Sequence, residues 1–153
     1  MSEPVITWSC KKFTALTAPE LYTILRLRSE VFVVEQNCVY LDPDGKDAKA
    51  LHLCGWLNNE HLVAYARLLP PGISYSEASI GRVVTAAAHR KDGYGRILMR
   101  KAVENCLSLF GPSNIRIGAQ QYLVKFYSEF GFQAVSEPYL EDGIPHVEML
   151  LNN

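Results

Sequence analysis

The spacing of apolar positions changes several times along this chain, and each change predicts an element. Val5-Ile6-Thr7-Trp8 suits a short first strand. Thr17-Ala18-Pro19-Glu20 is a capping box with proline near the helix start. Leu21, Ile24, Leu25, Val31 and Phe32 then recur at helical spacing, which predicts a helix ending near Val34 or Glu35. Turn chemistry fills Leu41-Asp42-Pro43-Asp44-Gly45-Lys46. Apolar runs at 50–57 and 61–69, joined by Asn58-Asn59-Glu60, predict a hairpin that Pro70-Pro71-Gly72 closes. Residues 78–86 read as a strand in which Gly81 marks a bulge or a close backbone approach.

In the second half, Leu98, Ala102, Cys106 and Leu109 share one helical face, and Gly111-Pro112 stops that helix. Ile115-Arg116-Ile117-Gly118 is a strand. A short helix follows with Leu123, Phe126, Tyr127 and Phe130 on its apolar side, ended by Gly131. Closing strands near 132–137 and 144–151 flank Glu141-Asp142-Gly143. The order is β, α, β-hairpin, β, α, β, α, β, β. It predicts a mixed α/β single domain over residues 1–153, a central sheet with helices on its faces.

Composition narrows the function classes. The 153 residues are 48% hydrophobic and 20% charged, ordinary for a globular protein, and the net charge of −1 lacks the basic excess of a nucleic-acid binder. No apolar run approaches the roughly 20 residues of a membrane span, and MSEPVITWSCKKF has no signal-peptide core. Cys10, Cys38, Cys54 and Cys106 are scattered without a C-x-x-C pair, and the four histidines show no metal-ligand spacing. These features predict a cytoplasmic protein with neither disulfides nor a metal, nucleic-acid or membrane partner.

The segment with the most chemistry is Arg90-Lys91-Asp92-Gly93-Tyr94-Gly95-Arg96. It joins a strand to an amphipathic helix. Two glycines let the backbone turn and approach a ligand, and the first N–H groups of the helix lack intrahelical partners. With Arg90, Lys91 and Arg96 around it, the turn reads as a pyrophosphate cradle. A dinucleotide fold would need a third glycine where Leu98 stands, and a P-loop would need G-K-[ST] where Gly95-Arg96-Ile97 stands.

Arg90-x-x-Gly93-x-Gly95 instead resembles the coenzyme A pyrophosphate loop of the GNAT N-acetyltransferases. About 30 residues on, Phe126-Tyr127-Ser128-Glu129-Phe130-Gly131-Phe132 is similar to that family's F-Y-x-x-x-G-F segment. Residues 27–36, Tyr65-Ala66-Arg67-Leu68, Ile80-Gly81-Arg82-Val83-Val84 and residues 139–146 extend the likeness to nearly the whole chain, toward the ElaA-like branch. The resemblance implies the GNAT acyl-CoA N-acyltransferase fold and acetyl transfer from acetyl-CoA to a primary amine, small molecule or peptide, and it allows a homodimer.

By the same resemblance, backbone groups of Val83, Val84 and Thr85 would pair with the pantetheine arm, like a strand added to a sheet edge. Arg90, Lys91, Asp92, Gly93, Tyr94, Gly95 and Arg96 would hold the pyrophosphate, with Gln120, and Gln121 beside it, offering an amide to the cofactor. Tyr127 would protonate the leaving thiolate, a role that suits a phenol of ordinary pKa near 10. A glutamate base on the fourth strand, found in several relatives, has no counterpart here; Arg82 stands in that region. Glu35, His52, His146 and Glu148 are the residues from which a base could come. Arg28 and Arg82 could bind an acceptor carboxylate or form salt bridges. Tyr40, Trp56 and Tyr139 suit either the cleft or ordinary packing. The same cradle would also serve a non-catalytic acyl-CoA sensor, or an acyltransferase using a longer acyl-CoA.

Overall fold

The sheet is built outward from the hairpin that alternation specifies. The computed structural model describes residues 5–153, so the first four residues of the segment read as lacking a leader lie outside it. Strands β2 (Leu51–Leu57) and β3 (His61–Leu69) pair antiparallel, with β1 (Ile6–Lys12) on one side and β4 (Ala78–Thr85) on the other. Helix α2 (Tyr94–Phe110) crosses to β5 (Ile115–Gln120), the parallel neighbour of β4. After α3 (Val124–Ser128) come β6 (Gln133–Ala134), β7 (Tyr139–Glu141) and β8 (Ile144–Leu151). The spatial order is β1-β2-β3-β4-β5-β8-β6, with β7 also on β8.

Each face of this sheet has its own cover. Alternate residues Leu53, Ala64, Ala66, Leu68, Ile80, Ile117 and Met149 form one core with Leu98, Met99, Ala102 and Cys106 of α2 and with Tyr127 and Phe132. On the other face α1 (Ala18–Arg28) packs Ile24 and Leu27 against Cys54, Tyr65 and Val84. The capping box forms at its start: the Glu20 N–H donates to Thr17 Oγ1 (3.2 Å) and the Thr17 N–H to Glu20 Oε1 (2.8 Å). Such a cap contributes about 1 kcal/mol.

Several predicted boundaries shift. The first strand runs to Lys12, because residues 9–12 continue the ladder onto β2. The first α-helix ends at Arg28, short of the expected Val34 or Glu35, and the winding reaches Glu35 only as a π-helix over Ser29–Glu35, with Gln36 N–H bonded to the Val31 carbonyl at 3.1 Å. Leu109 is 54% exposed, and Phe110, four residues after Cys106, packs on the core in its place. The strand expected at 132–137 shrinks to Gln133–Ala134. The extra strand β7 forms instead, because Asp142 and Gly143 both adopt positive φ (51° and 77°) and make a tight hairpin turn into β8.

Strands β4 and β5 pair only at Ala78–Ile115 and Ser79–Arg116, and then diverge. The register of β4 on β3 also breaks there, between the Tyr65–Val84 and Arg67–Gly81 pairs. The bulge expected around Gly81 exists, but its left-handed residue is Arg82, at φ 48°. The outcome is an opening in mid-sheet, walled by the last residues of β4 and β5.

Candidate active site

The cradle closes one end of this opening. Residues 87–92 form a 3-10 turn, Gly93 takes φ 81°, and α2 begins at Tyr94 with no side-chain cap. Its first N–H groups thus remain available for an anion. Gly95 has ordinary helical geometry, so its role differs from that of Gly93. A Cβ there would sit 3.6 Å from Thr85 Oγ1 and 4.0 Å from Phe126 Cζ, in the space where the end of β4, the helix start and α3 meet.

Two of the three expected cradle cations are engaged. Arg90 makes two hydrogen bonds to Glu35, at 2.6 and 2.7 Å, and Arg96 two to Glu129, at 3.1 and 3.2 Å. Asp92 pairs with His89 at 3.1 Å, and Lys91 is exposed. Glu35 thereby departs from its expected role as a free base: hydrogen bonds from Arg90 hold its carboxyl below the usual carboxylate range.

Val83, Val84 and Thr85 form the last turn of the ladder before the opening. Val84 and Thr85 pair with Tyr65 and Ala64 on the β3 side, while β5 has already separated on the other. Gln120 ends β5, and its side-chain amide pairs with that of Gln36 at 3.3 and 3.4 Å. Gln121 is exposed. Tyr127 packs edge-on against Phe126 and Phe132 at ring distances of 5.3 and 6.3 Å. Its residue is 7% exposed, and burial raises its pKa. Among the described residues its hydroxyl has no hydrogen-bond partner.

His52 is removed from the candidate bases by its surroundings. It is fully buried, with Nε2 2.9 Å from the Asp47 carbonyl and Nδ1 2.7 Å from the Tyr65 hydroxyl. A carbonyl only accepts, so Nε2 carries the proton and Nδ1 accepts from Tyr65. Burial lowers its pKa and keeps the ring neutral. His146 lies on β8 opposite Gln120, stacked on Tyr139 at 5.9 Å. Its Nδ1 donates to the Ile144 carbonyl at 2.7 Å, leaving Nε2 3.4 Å from Glu141.

Arg28 and Arg82 belong to a charge network that also takes in Arg67. Arg28 is fully buried and bonds Asp42 (2.8 Å) and Asp47 (2.7 Å). Arg67 bonds Asp44 (2.7 Å) and Asp47 (3.0 Å), and Arg82 bonds Asp42 (2.9 Å) and Asp44 (3.3 Å). Three arginines thus meet three aspartates from one loop, and a carboxylate-bearing acceptor finds no free guanidinium there. Arg82 also stacks 5.7 Å from the Tyr40 ring. These contacts over-determine its positive φ, which costs about 1–2 kcal/mol for a residue with a Cβ.

A sheet opened between two parallel strands, beside an uncapped helix start, defines an acyl-CoA N-acyltransferase scaffold. The Acetyltransferase (GNAT) domain family matches residues 46–152. The Escherichia coli protein ElaA is 44% identical over 147 residues, covering 95% of each chain. The crystal structure of E. coli ElaA superposes with a TM-score of 0.90, at 41% identity over 97% of this chain and all of that one. An acyl-CoA N-acyltransferase from Pseudomonas aeruginosa gives 0.89, at 43% identity over 95% of this chain and 99% of that chain. The chain belongs to the GNAT acetyltransferase family and is a homologue of ElaA.

Proposed function

We propose that the protein transfers the acetyl group of acetyl-CoA directly to a primary amine, with both substrates bound together. The observation that carries this reading is the opening between β4 and β5, with unpaired backbone on one wall and the uncapped start of α2 at its end. Acetyl-CoA supplies the activated acyl thioester. Backbone groups of Val83, Val84 and Thr85 hold the pantetheine arm, and N–H groups from Lys91 to Arg96 hold the pyrophosphate. Asp92 and Tyr94 shape the turn, and Gln120 offers its amide. An N–H near Val83 or Val84 donates to the carbonyl oxygen as negative charge builds on it.

The amine nitrogen bonds to the carbonyl carbon and gives up its proton to solvent water. The carbon–sulfur bond breaks, and Tyr127 gives its proton to the departing thiolate. The Tyr127 phenol is protonated at neutral pH and so carries the proton to give, although burial strengthens its hold on that proton. No cysteine lies in either motif, so no acetyl-enzyme is invoked. The four unpaired cysteines suit a reducing compartment, and we place the protein in the cytoplasm.

Thermal unfolding with acetyl-CoA, NAD or ATP tests the cofactor. At 100 times its dissociation constant a ligand adds about 2.7 kcal/mol. That corresponds to a Tm rise of about 5–10 °C for a chain of this length. A rise with acetyl-CoA alone is expected; no rise in folded protein overturns the reading. Tyr127→Phe should then lower kcat and leave that shift in place. The occupied state of Glu35 and His52 favours a second reading, an acyl-CoA sensor without turnover. Coenzyme A release across a panel of amines separates the two.

A further inference from the structure

The face of the sheet that carries the arginine network continues past the opening onto β5 and β8. Ile117, Ala119, Val147 and Met149 point into the α2 core, so Arg116, Gly118 and Gln120, with His146 and Glu148, lie on the opposite face. Gly118 stands directly across from Glu148. A Cβ on Gly118 would lie 3.0 Å from the Tyr139 hydroxyl and 3.1 Å from the Tyr75 hydroxyl. Two phenols from separate segments therefore converge over the one position where the strand has no side chain.

The charges on this face are almost all neutralised by each other. The three network arginines balance three aspartates, and Arg116 makes two hydrogen bonds to Glu77, at 3.1 and 3.0 Å. The exceptions are Glu141, whose nearest partner is His146 Nε2 at 3.4 Å, and the Lys46 ammonium, which bonds Ser74 Oγ at 2.8 Å. Glu148 is different: among the described residues its carboxylate has no hydrogen bond and no ion pair. The charges acting on Tyr75 are those of Glu148, Glu141 and Arg116, and burial raises the pKa of both phenols, that of Tyr139 to about 12. The hydroxyls stay neutral, and their oxygens and ring faces suit a cation.

We propose that this cluster of side chains is the far end of the acceptor site and selects linear diamines. Glu148 and the hydroxyls of Tyr75 and Tyr139 hold one ammonium group, while the other nitrogen reaches the β4–β5 opening. Gly118 lies in the wall of that opening, two residues, about 7 Å, before the Gln120 end of β5, and a chain of four or five carbons spans that length of wall. The assignment rests on the acetyltransferase reading above and adds the class of acceptor to it.

The test measures coenzyme A release from acetyl-CoA with 1,4-diaminobutane, 1-aminobutane and 4-aminobutanoate, which differ only at the far end. The expected kcat/KM is about tenfold higher for the diamine than for the monoamine, with the amino acid slowest. Glu148→Gln should raise KM for the diamine about tenfold and that for the monoamine far less; a loss of kcat with both amines would make Glu148 the base and overturn the assignment. Gly118→Ala, whose methyl displaces both hydroxyls, should raise the diamine KM in the same way.

Equal use of the three amines, preference for 4-aminobutanoate, or an unchanged diamine KM in Glu148→Gln overturns the proposal. So does a complete lack of turnover. Coenzyme A release with other amines then shows that only the acceptor assignment has failed; no release with any amine, with or without a Tm rise, shows that the acetyltransferase reading has failed too.

Discussion

Two regions of this molecule are rich in charge and are organised in opposite ways. Behind β3 and β4, three arginines and three aspartates are buried or half-buried, and nearly every donor meets a carboxylate; Arg67 Nε is the one buried side-chain atom left without a partner among the described residues. At the start of α2 the charges are exposed, and the backbone donors have no cap. The first region neutralises itself and so fixes a loop, a bulge and the end of β4. The second leaves its fixed donors for something else to neutralise. A binding site differs from a scaffold here less in how much charge it holds than in whether its partners are already present.

The largest effect should come from breaking the self-neutralised region. Arg28→Leu leaves Asp42 and Asp47 without their shared guanidinium, and losing one partner of a buried ion pair costs about 3–5 kcal/mol. Chemical denaturation should show a midpoint lowered accordingly. A change below about 1 kcal/mol would mean that the network adds little to the fold.

Next in size is the proposed cofactor seat. Gly93 needs its positive φ of 81° to place the first turn of α2, and a β-branched residue strains that conformation. Gly93→Val should fold, with a lower Tm, and lose the acetyl-CoA-induced shift. A retained shift would put the pyrophosphate elsewhere.

The network should also set the pH dependence of stability. Burial alone would raise the pKa of Asp44 and Asp47, but hydrogen bonds from Arg67 and Arg28 outweigh it and depress both below 3.8. Burial lowers the pKa of His52 below 6.5. In each case the unfolded chain binds protons more readily, so the stabilisation is present at high pH and lost as pH falls. Tm should be flat above about pH 7, decline as the pH drops below 6.5, and fall more steeply below 4. His52→Gln should remove the first decline and keep the second. A Tm that rises on acidification to pH 5 would contradict both signs.

These contrasts explain what could be read from the chain alone. The cradle and the Phe126–Phe132 segment are local, so seven consecutive residues in each carry the whole signal. The network is not local: Arg28 finds Asp42 and Asp47 at separations of 14 and 19 residues, and Arg82 finds Asp42 at 40. Each arginine could be suspected of salt bridging, but its partner could not be named, and Arg67 gave no sign of joining them. The phenol pair was hidden for a related reason, since Tyr75 sits in a connection and Tyr139 in a strand only three residues long. Gly118 was the usable clue. A glycine inside a strand signals a bulge or a close approach; Gly81 lies at the bulge with open space around it, while the close approach occurs at Gly118.

The smallest predicted effect tests where the two regions touch. Glu35 and Arg90 form an exposed pair, about 44% and 42% accessible, between the π-helical segment and the cradle. Glu35→Gln should change stability by less than about 1 kcal/mol, as exposed pairs usually do. It should also free Arg90 to meet the pyrophosphate and tighten acetyl-CoA binding by a few-fold at low salt. The gain should fade as ionic strength rises and the charges are screened. Titration of acetyl-CoA at two salt concentrations reads this directly. If Glu35 were instead the base, the same substitution would leave affinity unchanged and abolish turnover. Its carboxylate, held ionised by Arg90, is better placed to tune the cradle than to take a proton.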